Sequence, residues 1–375
     1  MVAKVEAVSS EFDKKYWREI CRKTEFPNEY WDAISKAGLF GLVIEEKWGG
    51  MGRSLLDLAL GTQETAERYS GLGSYLFLSG CLVSTLFAKS SEHQRRVILP
   101  RLAKGEIKIS IALAEEKSGT DSTSLETKAL KTSHGFELSG SKRFVNNVDR
   151  ADYLIVFART MPIEKSPKKS MGISMFLVPA DNPSIKKKKL DKLGMDFINN
   201  FDIEFHGLDV GEEDLVGELD HGWYNAVESF NLDRVATAGS LIGTGRLAVS
   251  EAAEYAKKRV VFGKPIGSNQ GIQFPLAEAV AQLITAEAIM LKACSLRGGG
   301  RNFWDTANLA LLEAESAANY ATDRALQTFG AHGYYKDYDV ERYWRDVRVH
   351  KVHPISEELL LSVIGERLLG LPKSF

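Results

Sequence analysis

The chain has 375 residues, 44% hydrophobic and 26% charged, with a formal net charge of -2. That length supports a packed core and about two to three domains, and the near-neutral charge leaves no footprint for nucleic acid or a membrane surface. Cys21, Cys81 and Cys294 are distant and form no C-x-x-C pair, which argues against a disulfide framework or a metal site, and no signal-like start or apolar run near the length of a membrane span is expected. A cytoplasmic protein is the resulting expectation.

From Glu11 to about Leu102 the spacing is helical. Pro27 to Phe40 opens with a proline suited to a first helical turn and ends near Gly38 and Gly41. Gly49, Gly50 and Gly52 mark a turn. Helices are predicted over Asp57–Tyr69, Tyr75–Lys89 and His93–Lys104. The period then changes: Ile107, Ile109, Ile111 and Leu113 alternate with Lys108, Ser110 and Ala112, as a strand requires. Strand-like runs follow at Phe136–Leu138, Tyr153–Ala158, Gly172–Val178 and Phe201–Phe205. No long helical pattern interrupts them, which disfavours a parallel sheet with crossover helices and favours an antiparallel barrel or sandwich. Lys186 to Lys189 form the one long basic run, read as a solvated loop or strand edge, or as a contact for an anionic ligand tail or an acidic partner.

From about Gly222 the helical period returns. Gly271–Leu296, Trp304–Phe329 and Ile355–Leu369 are further long candidates, separated by short glycine-containing breaks. Long helices with short connections predict a four-helix bundle. The expected fold class is α+β: a helical domain over 1–106, a β-barrel or sandwich over 107–221 and a four-helix bundle over 222–375.

Gly243 and Gly245 resemble a dinucleotide fingerprint in spacing only. No strand precedes them, so close helix packing is the better reading. His350 and His353 could share a helical face, but no acidic partner completes a metal site. Arg259 offers a permanent cation with a rigid donor fork, suited to a pyrophosphate, and equally to a solvated helix end. Phe262 follows, Gly263 and Pro265 stop the helix, and Gln270 and Gln273 can hydrogen-bond a ribose or ring.

The segment Tyr255–Gln273 (YAKKRVVFGKPIGSNQGIQ) and the segment Gln327–Glu358, with its Gly330–Gly333 turn and Arg342, Arg345 and Arg348, resemble the acyl-CoA dehydrogenase family. Two further segments fit that resemblance. Glu115–Asp121 is similar to the family's T-E-P-G-x-G-S-D loop, with Ala114 for its threonine, Glu116 for its proline and Thr120 for its serine. Ser141–Asn147 (SKRFVNN) is similar to the strand whose aromatic packs on the flavin ring. The resemblance runs in order along nearly the whole chain.

What it implies is specific. FAD is the expected cofactor, held by Leu113, Ala114, Phe144, Asn146, Arg259, Phe262, Gln270, Gln327, Gly330, Ala331, Ser356 and Glu358. Thr120 and Arg234 are the expected substrate contacts. Arg259 and the Gln327–Gly330 turn are expected to serve the flavin of a neighbouring subunit, so at least a dimer is required and a tetramer, a dimer of dimers, is the family form. An acyl-CoA thioester is the expected substrate, and an electron-transfer flavoprotein the expected acceptor.

One position departs from the family. Pro354 stands where many members carry the catalytic glutamate, and proline cannot accept a proton. Asp233, immediately before Arg234, matches an alternative base position and is the expected catalytic residue, although an acidic residue there also reads as a helix-start ion pair. Glu357 and Glu358 are expected to point elsewhere, with Ser356 and the glutamates capping the next helix. The alternatives are an elimination or oxygen-using flavoenzyme of the family, and a catalytically silent member that binds or assembles.

Overall fold

The structure, a computed structural model, describes residues 1–68 and 71–373. Six helices come first: α1 (Val2–Ser9), α2 (Lys14–Lys23), α3 (Asn28–Lys36), α4 (Leu55–Glu67), α5 (Gly71–Leu82) and α6 (Glu92–Ala103). Their starts follow from local chemistry. Asp13 accepts the Tyr16 N–H at 2.9 Å to cap α2, and Ser54 and Asp57 form a reciprocal capping box on α4. The helix expected to start at Tyr75 starts at Gly71, and its last part, Val83–Lys89, tightens to 3-10 geometry. Tyr69, the expected end of the preceding helix, and the last two residues of the expected C-terminal domain lie outside the described residues.

Seven strands follow: β1 (Ile109–Ala112), β2 (Lys128–Thr132), β3 (Gly135–Asn146), β4 (Tyr153–Arg159), β5 (Ile173–Pro179), β6 (Ile185–Leu190) and β7 (Asn200–Val210). They form one sheet in the order β1-β4-β2-β3-β7-β6, with β5 on β4. The expectation of an antiparallel sheet needs one correction. β1 pairs with β4 in parallel, and β2 touches β4 in parallel at Lys128–Arg159, although no crossover helix lies between. The four lysines are β6, an edge strand paired with β7. Their side chains stay in solvent, as suits an edge that must not recruit another strand.

The C-terminal region contains α7 (Gly222–Lys258), a two-strand hairpin (β8, Val260–Val261; β9, Lys264–Pro265), α8 (Gln270–Gly298), α9 (Trp304–Phe329), α10 (Val340–Arg348) and α11 (Glu357–Leu369). Alanines and leucines of α7, α8 and α9 form its core, and the fourth layer is shared by the shorter α10 and α11. Gly239 and Gly243 let α7 meet α4 backbone to backbone. A Cβ on Gly239 would lie 2.3 Å from the Ala59 carbonyl oxygen, and one on Gly243 would lie 2.2 Å from that of Gln63. Their role is packing, within a helix and with no phosphate-binding turn.

Arg342 and Arg345 of α10 join ion pairs that tie the regions together, whereas Arg348 is exposed. Asp339, at the head of α10, pairs with Arg18 of α2 at 2.8 Å and with buried Arg342 at 3.3 Å. Arg345 reaches Asp196 at 3.0 Å and the Leu193 carbonyl at 2.9 Å, in the connection after β6. The expectation about apolar runs also needs correction. Gly71–Lys89 and Gln270–Gly298 are long and apolar enough to cross a membrane by length and composition, although the first is mostly buried inside the fold.

Candidate functional site

The site is built on β3. Lys142 points inward and is almost completely buried. Its Nζ donates to Glu115 Oε1 at 2.7 Å and to the Leu113 carbonyl at 3.0 Å. Glu115 also accepts the N–H groups of Glu126 and Thr127 at 2.6 and 3.0 Å. Burial lowers Lys142 to about 8, so the ammonium remains the main form at neutral pH. Burial alone would raise Glu115, but the Lys142 charge and the backbone donors outweigh it and hold the carboxyl below its ordinary range. The Arg143 N–H donates to the Ala114 carbonyl at 2.8 Å. Leu113 and Ala114 are thereby fixed directly beside the next residue, Phe144.

Between Lys142 and Val145 the β3–β7 register shifts. Phe144, inside that irregularity, takes a positive φ of 59° and leaves its ring 49% exposed. Holding an L-residue there costs about 1 kcal/mol, which marks the ring's outward placement as a local constraint. Two residues on, Asn146 donates from Nδ2 to the Tyr75 hydroxyl of α5, and its Oδ1 accepts from Asn200 Nδ2 of β7. Asn200 Nδ2 also donates to the Phe144 carbonyl at 3.2 Å.

α7 supplies the facing wall. Asp233 keeps an opening to the surface, yet the groups crowding it desolvate the carboxyl and raise its pKa to about 6, against the opposing pull of Arg234. Burial lowers Arg234 in turn, and its Nη1 donates to Asn231 Oδ1 at 2.6 Å. Burial first, and then the Asp233 charge, raise the Tyr75 hydroxyl. Asp233 and Tyr75 thus lie on packed helices, each desolvated, with the Asp233 charge acting on the hydroxyl. Leu113, Ala114, Phe144 and Asn146 lie together along β3 and its neighbours, Asn146 reaches α5 through Tyr75, and Asp233 and Arg234 lie on α7, which packs against α5. Thr120 lies in the exposed turn beyond Glu115 and makes no side-chain hydrogen bond among the described residues.

The remaining expected contacts lie elsewhere. About 26 helical steps separate Asp233 from Arg259, a span of about 39 Å along α7. There Tyr255 stacks on Phe329 with centroids 4.3 Å apart, joining the ends of α7 and α9. Arg259 forms the C-terminal cap of α7, is exposed, and has no ion pair among the described residues. Phe262, at the hairpin tip, is 100% exposed with φ 51°. Gln270, Gln327, Gly330 and Ala331 are also exposed. Within one chain this set does not reach Phe144.

Pro354 is exposed, in the connection before α11. Ser356 caps α11 by accepting the Leu359 N–H at 3.3 Å, as expected from the sequence. Glu357 pairs with Lys351 at 2.6 Å, and Glu358 is exposed. Beneath them Glu315 of α9 is completely buried, and neither of its carboxyl oxygens has a hydrogen-bond partner. Burial, then the Glu357 charge, raise it to about 8. The Lys142–Glu115 anchor, Asn200 and Glu315 are not marked by sequence spacing.

Sequence profiles of the acyl-CoA dehydrogenase N-terminal, middle and C-terminal domains match residues 1–106, 110–208 and 220–369. An acyl-CoA dehydrogenase of Bacillus subtilis is 34% identical over 94% of this chain and 93% of its own length. A 3-(aryl)acrylate reductase of Clostridium sporogenes is 30% identical over 94% of this chain and 93% of its own length. The solved butyryl-CoA dehydrogenase of Megasphaera elsdenii superposes with a TM-score of 0.92 at 29% identity, covering 98% of this chain and 97% of that one. The chain belongs to the acyl-CoA dehydrogenase family. It is a flavoprotein oxidoreductase, and FAD is its cofactor.

The residues present fit that cofactor. Phe144 is half exposed at a positive φ, and among the described residues one Asn146 amide hydrogen, two residues on, has no acceptor. Together they offer an apolar face and a donor to a planar heterocycle.

Proposed function

We propose that this protein oxidises an acyl-CoA thioester at its α,β bond, with Asp233 as the base and an electron-transfer flavoprotein as the acceptor of the electrons. One observation carries the reading. The Asp233 carboxyl on α7 is desolvated and acts on Tyr75, the hydrogen-bond partner of Asn146, while the family resemblance aligns Pro354 with the usual base. Bound FAD supplies the two-electron acceptor for the β hydrogen.

The chain's own residues do the rest. Asp233 takes the α proton. With its pKa near 6 it is mostly ionised at neutral pH, and it is a stronger base than an exposed aspartate. Removing it from water also strengthens its interaction with the substrate. Arg234, next on α7 and held by Asn231, is the cation beside the substrate. Tyr75, Asn146 and Asn200 give the cleft a polar lining near the reacting carbons. Run backwards, the same residues return a proton to the α carbon of an unsaturated substrate, the direction that the name of the Clostridium relative describes.

The second cluster serves another copy. Arg259, Phe262, Gln270 and the Gln327–Ala331 turn project from the far end of α7, beyond reach of their own Phe144. In an assembly they close over the flavin of a neighbour, with Arg259 on its pyrophosphate. Anaerobic titration with thioesters of differing length and branching, followed at the visible flavin band, tests the reaction. Absence of bleaching by any of them would remove it.

A further inference from the structure

Tyr75 belongs to no family motif discussed above, yet its hydrogen-bond polarity is fixed from a distance. The Phe144 carbonyl can only accept, so the Asn200 atom 3.2 Å away must be its NH2 group. That same NH2 meets Asn146, so the Asn146 atom facing it must be the carbonyl oxygen. The Asn146 NH2 is therefore turned to Tyr75, whose hydroxyl oxygen accepts there. The Tyr75 hydrogen is left to donate elsewhere, and no acceptor takes it among the described residues. Tyr75 lies on α5, which packs against α7, and it meets the same core cluster as Leu232 and Ala236, which lie beside Asp233 on α7. The Asp233 charge acts on its hydroxyl, and Arg234 is the charged neighbour of Asp233 on its own helix.

We propose that Tyr75 is a positioning residue for Asp233, its hydroxyl held as a donor towards the carboxylate by the relay Phe144–Asn200–Asn146. Such a donor stabilises the ionised base and fixes its orientation without touching the reacting atoms. It also explains an amide at position 146, because a hydroxyl there could reverse its own polarity. This inference rests on Asp233 as the base of the proposed reaction.

The test uses the FAD-loaded protein and the variants Tyr75→Phe, Asn146→Ala and their double. The pH at which Asp233 titrates is read in two ways: from the acid limb of substrate bleaching, and without substrate from the pH profile of the Tm difference between each protein and its Asp233→Asn counterpart. Tyr75→Phe is expected to move both midpoints upward by about half a unit to one unit, and to lower kcat with KM changed less than about twofold. Asn146→Ala is expected to move them the same way, and the double variant no further than Tyr75→Phe alone. Unmoved midpoints in Tyr75→Phe, or additive shifts in the double, would overturn the proposal. If Tyr75→Phe fails to fold, Asn200→Ala takes its place, because it breaks the same relay; an unmoved midpoint there counts equally against it. Should Asp233→Asn itself still bleach, it is the assignment of the base that fails, a result independent of the Tyr75 comparison.

Discussion

Lys142 and Glu115 form an ion pair of 2.7 Å inside the middle domain, and the same ammonium holds the Leu113 carbonyl just beyond β1. Two charges taken out of water bring modest net stability as a pair, but each is costly when left alone. Lys142→Met should therefore lower unfolding stability by about 3–5 kcal/mol, with Glu115 left uncompensated, and weaken FAD retention by releasing Leu113. Denaturant unfolding and flavin content after gel filtration measure both. A loss below about 1 kcal/mol would show that Glu115 finds other partners.

Asp233→Asn should keep FAD, lose substrate bleaching by about a hundredfold or more, and raise the Tm at neutral pH. The sign follows from burial. The folded carboxyl holds its proton up to about pH 6, against an ordinary value of 3.8. Its contribution to stability is complete below the ordinary value and is lost as the pH rises through about 6. The asparagine variant has no such loss. Differential scanning calorimetry across that window checks it, and for the native protein the acid limb of bleaching should fall near pH 6.

Glu315 provides a second pH signature, away from the cleft. Its folded pKa lies near 8 and its ordinary value is 4.5, so it is protonated in the fold at neutral pH. Stability should fall as the pH rises from the lower value through the higher, by on the order of 5 kcal/mol. Glu315→Gln should flatten that slope and match the native protein at acid pH. An unchanged slope would mean that the carboxyl is hydrated in solution.

Phe262→Ala and Arg259→Ala act at the hairpin and cap beyond α7. Phe262 is fully exposed within one chain, so its loss should leave monomer unfolding nearly unchanged. Each should weaken FAD retention and subunit association by about 2 kcal/mol, the size of a well-buried interface anchor. Sedimentation velocity with flavin quantification reads both effects. Unaltered association and flavin content would separate the hairpin from the cofactor.

Part of this was legible in the sequence because the signal is local. Trp304–Phe329 begins and ends where its periodicity says, and Ser356 caps α11 as its spacing requires. Phe144, Asn146 and Asp233 stand out in the sequence only through the resemblance and its motif order, and the roles given to them are proposals. Lys186–Lys189 could not be fixed as a strand from composition, because what makes β6 a strand is its pairing with β7. β2 was missed for a similar reason, with only Ala129 of its residues buried. The parallel β1–β4 pair arises from two segments that meet only in the folded sheet. The Tyr75–Asn146 and Asn146–Asn200 bonds span 71 and 54 residues, and no spacing rule reaches so far.

The most direct measurement is the visible flavin spectrum of the native protein and of Asp233→Asn, taken without oxygen during addition of an acyl-CoA thioester. The account predicts a yellow protein that bleaches in the native form and stays yellow, with FAD still bound, in the variant. Equal bleaching of both would contradict the assignment of Asp233, and a purified native protein that neither carries nor takes up FAD would contradict the account as a whole.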